Sequence, residues 1–161
     1  FAKAQFIAEK HDWTKFVSMQ NHLNLLYREE EREMIPFCED QKIAITPYSP
    51  LASGRLTRDW TGDTKRSLTD QTSKMKYDQT MDQDRVIVER VAQVAEELDV
   101  KRAQVALAWL MQKEVVTVPI IGATKESHLL DALPAIDVTL TPEQVAFLEE
   151  PYLPHQVVGA R

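Results

Sequence analysis

The chain has 161 residues, 43% of them hydrophobic and 27% charged, the balance of one globular domain rather than a disordered or repetitive polypeptide. A formal net charge of -6 excludes a surface of clustered Lys and Arg, and with it nucleic acid or an acidic membrane as partner, though a small anion needs only a local cluster of donors. The single cysteine, Cys38, excludes an intrachain disulfide framework; no Cys/His spacing suits zinc, and no apolar run approaches the roughly 18 residues of a membrane span.

A soluble, cytoplasmic protein without a metal site is therefore expected. Residues 1–10 favour helix but have no Ser, Thr, Asp, Asn or Pro ahead of them as a start signal. The chain is expected to begin inside a helix, as a piece of a longer polypeptide would. Residues 16–20 have β character and end in Gln20, followed by a loop carrying Asn21, His22 and Asn24. Residues 28–41 are charged at first and apolar later, with Met34, Ile35, Phe37 and Cys38 forming a buried stripe. Pro36 predicts either a kink or a fresh helix start near Ile35. The charged run 28–33 reads as a solvated helix face with i,i+4 pairs.

A second strand, residues 43–46, delivers the backbone to Tyr48 and then to a turn, Ser49-Pro50-Leu51-Ala52-Ser53-Gly54-Arg55, that frees main-chain N–H groups. Residues 58–80 are the least regular and have the character of a lid. Asp82 is expected to cap the next helix, where Val86, Ile87, Val91, Val94 and Leu98 recur at helical spacing. A helix over 102–112 is apolar nearly all round. Residues 115–121 form a continuous apolar run typical of a strand buried on both faces, and Gly122-Ala123-Thr124-Lys125 leads into a helix over 126–133. Thr141-Pro142-Glu143 is a cap followed by Pro at the first helical position, opening a helix to about Glu149. The tail, with Pro151, Pro154 and Gly159, is irregular.

Strands separated by helices imply a parallel sheet. Three parallel strands leave both edges uncovered, which points to part of a larger α/β domain. Three strand ends then share one edge: Gln20, Tyr48-Ser49, and Gly122 with Thr124 and Lys125. Ligands bind at that edge in parallel sheets and barrels. Singly, each has a plainer reading: Gln20 as a loop cap, Tyr48 as an aromatic at the core's margin, Ser49-Pro50 as an ordinary turn. At Gly122 to Lys125 free N–H groups, a hydroxyl and an ammonium converge where a helix dipole favours an anion. His128, one turn on, is placed to face the same anion. His11, His22 and His155 lack obvious partners and read as surface or structural, and Cys38 as buried.

Three segments in order, Ser18-Met19-Gln20-Asn21-His22-Leu23-Asn24, then Ile45-Thr46-Pro47-Tyr48-Ser49-Pro50-Leu51-Ala52-Ser53-Gly54-Arg55-Leu56, then Val118-Pro119-Ile120-Ile121-Gly122-Ala123-Thr124-Lys125, resemble the last strand ends of an aldo-keto reductase. Arg102-Ala103-Gln104-Val105-Ala106-Leu107-Ala108-Trp109-Leu110 extends the resemblance across essentially the whole chain. It implies the last three parallel strands, with their helices, of a partial TIM (β/α)8 barrel. Residues 1–161 would then be the C-terminal, cofactor-binding part of one NADP-dependent oxidoreductase domain. By the resemblance, Gln20 bonds the nicotinamide carboxamide and Tyr48 stacks on the ring. Ser49, Pro50, Leu51, Ser53, Gly54 and Arg55 border the pyrophosphate, closed over by residues 58–80. Gly122, Thr124, Lys125 and His128 surround the 2'-phosphate, and Asp131 approaches the adenine.

Two positions depart from the family pattern: His128 stands where Arg or Gln is common, and Ala132 where many members have Asn. The family's catalytic Asp, Tyr, Lys and His belong to the first half of the barrel, so no catalytic residue is expected here and the chain alone is expected to be inactive. The intact protein would reduce aldehyde or ketone carbonyls with NADP(H). Two alternatives are a non-catalytic nucleotide-sensing or regulatory subunit built on the same barrel, and a half-barrel that pairs with a second copy.

Overall fold

The computed structural model describes residues 1–60 and 70–157. Helix α1 (Ala2–Lys10) leads into strand β1 (Ser18–Met19), then a 3-10 turn (Glu29–Arg32), α2 (Met34–Asp40) and β2 (Ala44–Ile45). A 3-10 segment (Ala52–Thr57), α3 (Gln71–Tyr77), a turn (Asp78–Thr80) and the long α4 (Met81–Glu97) follow. The chain continues through α5 (Arg102–Met111), α6 (Glu126–Ala132), a 3-10 turn (Leu133–Asp137) and α7 (Pro142–Glu149).

Strands β1 and β2 pair in parallel, Ser18 with Ala44 and Met19 with Ile45. The third expected strand is not one. Residues 115–121 meet the sheet only through isolated parallel bridges, Val116 to Ile45 and Ile120 to Tyr48, held by Thr117 N–H to Ile45 C=O (2.9 Å) and Ile120 N–H to Pro47 C=O (2.8 Å). Pro119 has no N–H to offer between these points, so the ladder cannot run continuously. Nor is the run buried on both faces: Val116 is buried, but Val118 is 52% and Ile120 43% exposed. The first strand, expected over 16–20, is likewise shorter, and Phe16 and Val17 are exposed.

The core lies between β2 and helices α4, α5 and α7, around Ile45, Ile87, Val91, Leu110 and the fully buried Trp109. The Trp109 indole N–H donates to Glu149 Oε1 at 2.8 Å. Arg28 and Lys113 hold the same carboxylate at 3.0 and 3.1 Å. Their charges, against the opposing effect of burial, keep the Glu149 pKa below the usual carboxylate value. Helix α7 starts as its sequence demands, with Thr141 Oγ1 accepting from the Gln144 N–H at 3.2 Å and Pro142 at the first position.

The choice left open at Pro36 falls to a fresh helix start, and three local expectations change. The chain breaks at Glu33 (φ -140°) and α2 begins afresh at Met34, leaving Pro36 inside the first turn, where its missing N–H is no loss. The charged run before it is a 3-10 turn rather than a solvated face. Its pairs are therefore i,i+3, Arg28–Glu31 and Arg32–Glu29, both at 2.7 Å, and Glu29 is buried. Asp82 lies within α4, which begins at Met81 after Thr80 without a side-chain cap. The lid-like stretch 58–80 contains α3, capped by Asp70 through the Ser73 N–H at 2.9 Å; residues 61–69 of that stretch, and Gly159, lie outside the described residues. No described helix is long and apolar enough to cross a membrane.

Candidate functional site

The site forms where the parallel segments end together. Bridges from His22 to Tyr48 and from Tyr48 to Ile120 put these three residues side by side, and the Tyr48 N–H donates to Asn21 C=O at 2.9 Å. After Tyr48 the backbone turns left-handed: φ is 55° at Ser49, 48° at Ala52, 58° at Ser53 and 88° at Gly54. For the three non-glycine residues this conformation costs about 1 kcal/mol or more each. The surroundings hold the turn in place. Asn24 Nδ2 donates to Ser49 C=O at 2.9 Å, and Ala52 and Leu56 are fully buried. At Gly54 an added Cβ would have room, its nearest neighbour being Thr57 Oγ1 at 3.9 Å, so the positive φ alone favours glycine there.

This turn walls a cavity of about 940 Å³. Tyr48, Ser49, Pro50, Leu51, Ser53 and Gly54 form one side; Gly122 and its neighbours at 120–123 lie across from them, and His128 and Asp131 of α6 stand at one end. Gln20, Arg55, Thr124 and Lys125 do not line it. Gln20, Thr124 and Lys125 are exposed. Arg55 is drawn the other way: its guanidinium pairs with Asp78 and lies 5.5 Å from the centroids of both Trp60 and Tyr77. Ala132, by contrast, is buried at 7% exposure.

The junction of α4 and α5 supplies lining that sequence reasoning passed over: Glu96, Asp99, Lys101 and Arg102. Asp99 takes φ 53°, and the short charged link between two helices was the available signal. Lys101 pairs with Asp131 and Arg102 with Asp59 at 2.7 Å, so both cations reach the cavity already neutralised. Donors come from the backbone instead: among the described residues no hydrogen bond engages the Ser49 and Leu51 N–H groups.

Behind Tyr48 lies a buried polar network. The His22 ring stacks between Tyr27 (centroids 4.2 Å) and Tyr48 (5.0 Å). Burial first, then the charge of Lys76 and of His155, lowers the His22 pKa to about 3. Its Nε2 is hydrogen-bonded to the Tyr77 hydroxyl at 2.8 Å, and Asn24 Nδ2 donates to that hydroxyl at 3.1 Å. Of the surface and structural roles open to His155, it takes the structural one. It pairs with Asp84 at 2.9 Å, with side chains 3% and 1% exposed.

Comparison with known proteins gives a consistent result. The profile described as the Aldo/keto reductase family matches residues 2–152. A putative aryl-alcohol dehydrogenase of Schizosaccharomyces pombe is 44% identical over 162 residues, covering 99% of this chain and 45% of that protein. The versiconal hemiacetal acetate reductase of Aspergillus parasiticus is 40% identical over 159 residues, covering 98% and 46%. An aldo-keto reductase of Alternaria alternata is 44% identical over 154 residues, covering 94% and 41%. The chain thus spans about half the length of the curated relatives it matches.

Proposed function

Because the chain belongs to the aldo/keto reductase family, we propose that it is the cofactor-binding part of an NADP(H)-dependent reductase acting on aldehyde or ketone carbonyls. The observation that carries this reading is the single cavity running from the Tyr48 ring, past the left-handed turn, to His128 and Asp131. Its size is at the upper end of the usual range of about 300–1,000 Å³ for ligand sites. The donor set fits an extended dinucleotide: an aromatic face at Tyr48, unengaged N–H groups at Ser49 and Leu51, and polar side chains at the far end. The cofactor, when bound, supplies hydride to the carbonyl carbon.

The residues of this chain bind and orient. Tyr48 fixes which face of the nicotinamide is presented, and Gln20 holds its carboxamide. The turn 49–54 receives the pyrophosphate through its N–H groups, because a backbone bent this way concentrates donors on its concave side. Thr124 and Lys125 stand just beyond the described cavity, where they meet a 2'-phosphate, and Asp131 faces the adenine. The acid that protonates the developing alkoxide is supplied by the remainder of the polypeptide. A cytoplasmic location is part of this proposal.

Titration of the full-length protein with NADPH and NADH tests the reading. NADPH is expected to bind more tightly, and Lys125→Ala to remove most of that preference, about a tenfold change for one charge-assisted contact of roughly 1.5 kcal/mol. Equal affinities in the unsubstituted protein would overturn the 2'-phosphate assignment. Consumption of NADPH with a panel of aromatic and aliphatic aldehydes distinguishes an enzyme from a subunit that only binds nucleotide.

A further inference from the structure

Lys76 lies over the Tyr48 ring, outside the cavity lining, and the proposed function gives it no role. It lies at the end of α3, a helix held down by its neighbour: Tyr77 is fully buried and its hydroxyl is bonded to His22 and Asn24 at 2.8 and 3.1 Å. That anchor delivers the Lys76 ammonium to the Tyr48 ring, 4.6 Å from its centroid. Among the described residues Lys76 forms no ion pair. Burial lowers its pKa, with the charge of Asp70 acting in the opposite direction. Its field reaches past the ring, because it helps depress the pKa of His22, which stacks against Tyr48.

We infer that Lys76 sets which redox form of the nicotinamide this site prefers, favouring the reduced, neutral ring over the oxidised, cationic one. The inference rests on the proposed placement of the nicotinamide against Tyr48. An aromatic face attracts one cation at a time. In the free protein that cation is Lys76. An oxidised nicotinamide arriving at the ring must displace the ammonium and then lie beside it, since the Tyr77 anchor keeps α3 in place. A neutral reduced ring meets no such repulsion. His22 adds no charge of its own, being neutral above about pH 3. Glu30 also acts electrostatically on Tyr48 and opposes Lys76; its carboxyl pKa is raised by burial. At an effective dielectric near 20, two unit charges about 5 Å apart repel appreciably, and partial exposure reduces this to an effect of several-fold in affinity. A reductase gains from such a bias, because spent cofactor leaves more readily.

The test is a pair of equilibrium titrations of the full-length protein, with NADPH and with NADP+, on the unsubstituted form, Lys76→Met and Lys76→Arg. Lys76→Met should tighten NADP+ binding about three- to tenfold while changing NADPH by less than about twofold. Lys76→Arg, which keeps the charge, should behave as the unsubstituted protein. A change by the same factor in both forms would identify Lys76 as a steric cap or a phosphate contact and overturn the inference. No change in either form overturns it as well. Failure of the unsubstituted protein to bind either form instead removes the dinucleotide reading beneath it, so the two failures are distinguishable.

Discussion

Full-length protein carrying Tyr48→Ala is expected to bind NADPH and NADP+ between about fivefold and a hundredfold more weakly than the unsubstituted form. The range follows from roughly 1–3 kcal/mol for stacking a heterocyclic ring on an aromatic side chain. The loss should fall on both redox forms, since the ring contributes a surface rather than a charge. Tyr48→Phe keeps that surface. The Tyr48 hydroxyl makes no hydrogen bond among the described residues, so the phenylalanine variant should bind within about twofold of the original. The His22 ring stacks on Tyr48 at 5.0 Å, so a thermal melt of Tyr48→Ala is needed alongside. A variant that melts normally yet binds cofactor undiminished would remove Tyr48 from the site.

Asp84→Ala is expected to destabilise the protein by about 3 kcal/mol, the lower end for breaking a buried ion pair, because an imidazole can shed its proton. Asp84 Oδ1 accepts from His155 Nε2 at 2.9 Å, and Oδ2 accepts from the Thr80 hydroxyl at 2.6 Å. The substitution takes the carboxylate from the His155 donor and leaves the Thr80 hydroxyl only the Tyr77 C=O, at 3.3 Å. The pair also makes stability depend on pH. Burial alone would lower the His155 pKa, but the hydrogen bond to Asp84 and its charge outweigh this and raise it above 6.5. The folded imidazole therefore holds its proton to higher pH than the unfolded one. Its stabilisation is complete below about pH 6.5 and is lost as pH rises through the folded value. Chemical denaturation of the full-length protein at several pH values should show that decline, and Asp84→Ala should flatten it. An unchanged slope would show that the imidazole is neutral in the folded protein.

Much of the fold could be read from local pattern. The all-round apolar segment became α5, buried on nearly every residue, and the Thr141-Pro142 start became α7. What escaped depended on partners distant in sequence. His22 looked unpartnered because Tyr77, which completes its hydrogen bonding, lies 55 residues away. Helix α3 was hidden in an apparently irregular stretch because it has no apolar stripe, only one anchor; its cap at Asp70 was the available local sign. The expected third strand failed at Pro119, where an apolar run cannot supply a continuous ladder.

For the site, strand-end logic together with the family resemblance brought Tyr48, the 49–54 turn, Gly122, His128 and Asp131 to one cavity. Arg55 does not line that cavity; its contacts with Asp78 and two aromatic rings are tertiary and leave no local sign in the sequence. The acidic and basic residues at the α4–α5 junction reach the cavity only through the packing of those two helices on the turn.

The tail has a consequence for the order in which the molecule is completed. The Arg28 N–H donates to the Tyr152 hydroxyl at 2.9 Å; that hydroxyl and the His155 N–H both donate to Glu29 at 2.8 Å, across separations of 124, 123 and 126 residues. Contacts so distant in sequence raise contact order and slow folding, since the loop must close before they can form. At about 5–20 residues per second of synthesis, Glu29 waits roughly 6 to 25 s for these donors after it has been made. Until then, the segment behind the Tyr48 wall lacks its final latch, and the newly made chain depends on its surroundings to keep that segment from misassembly.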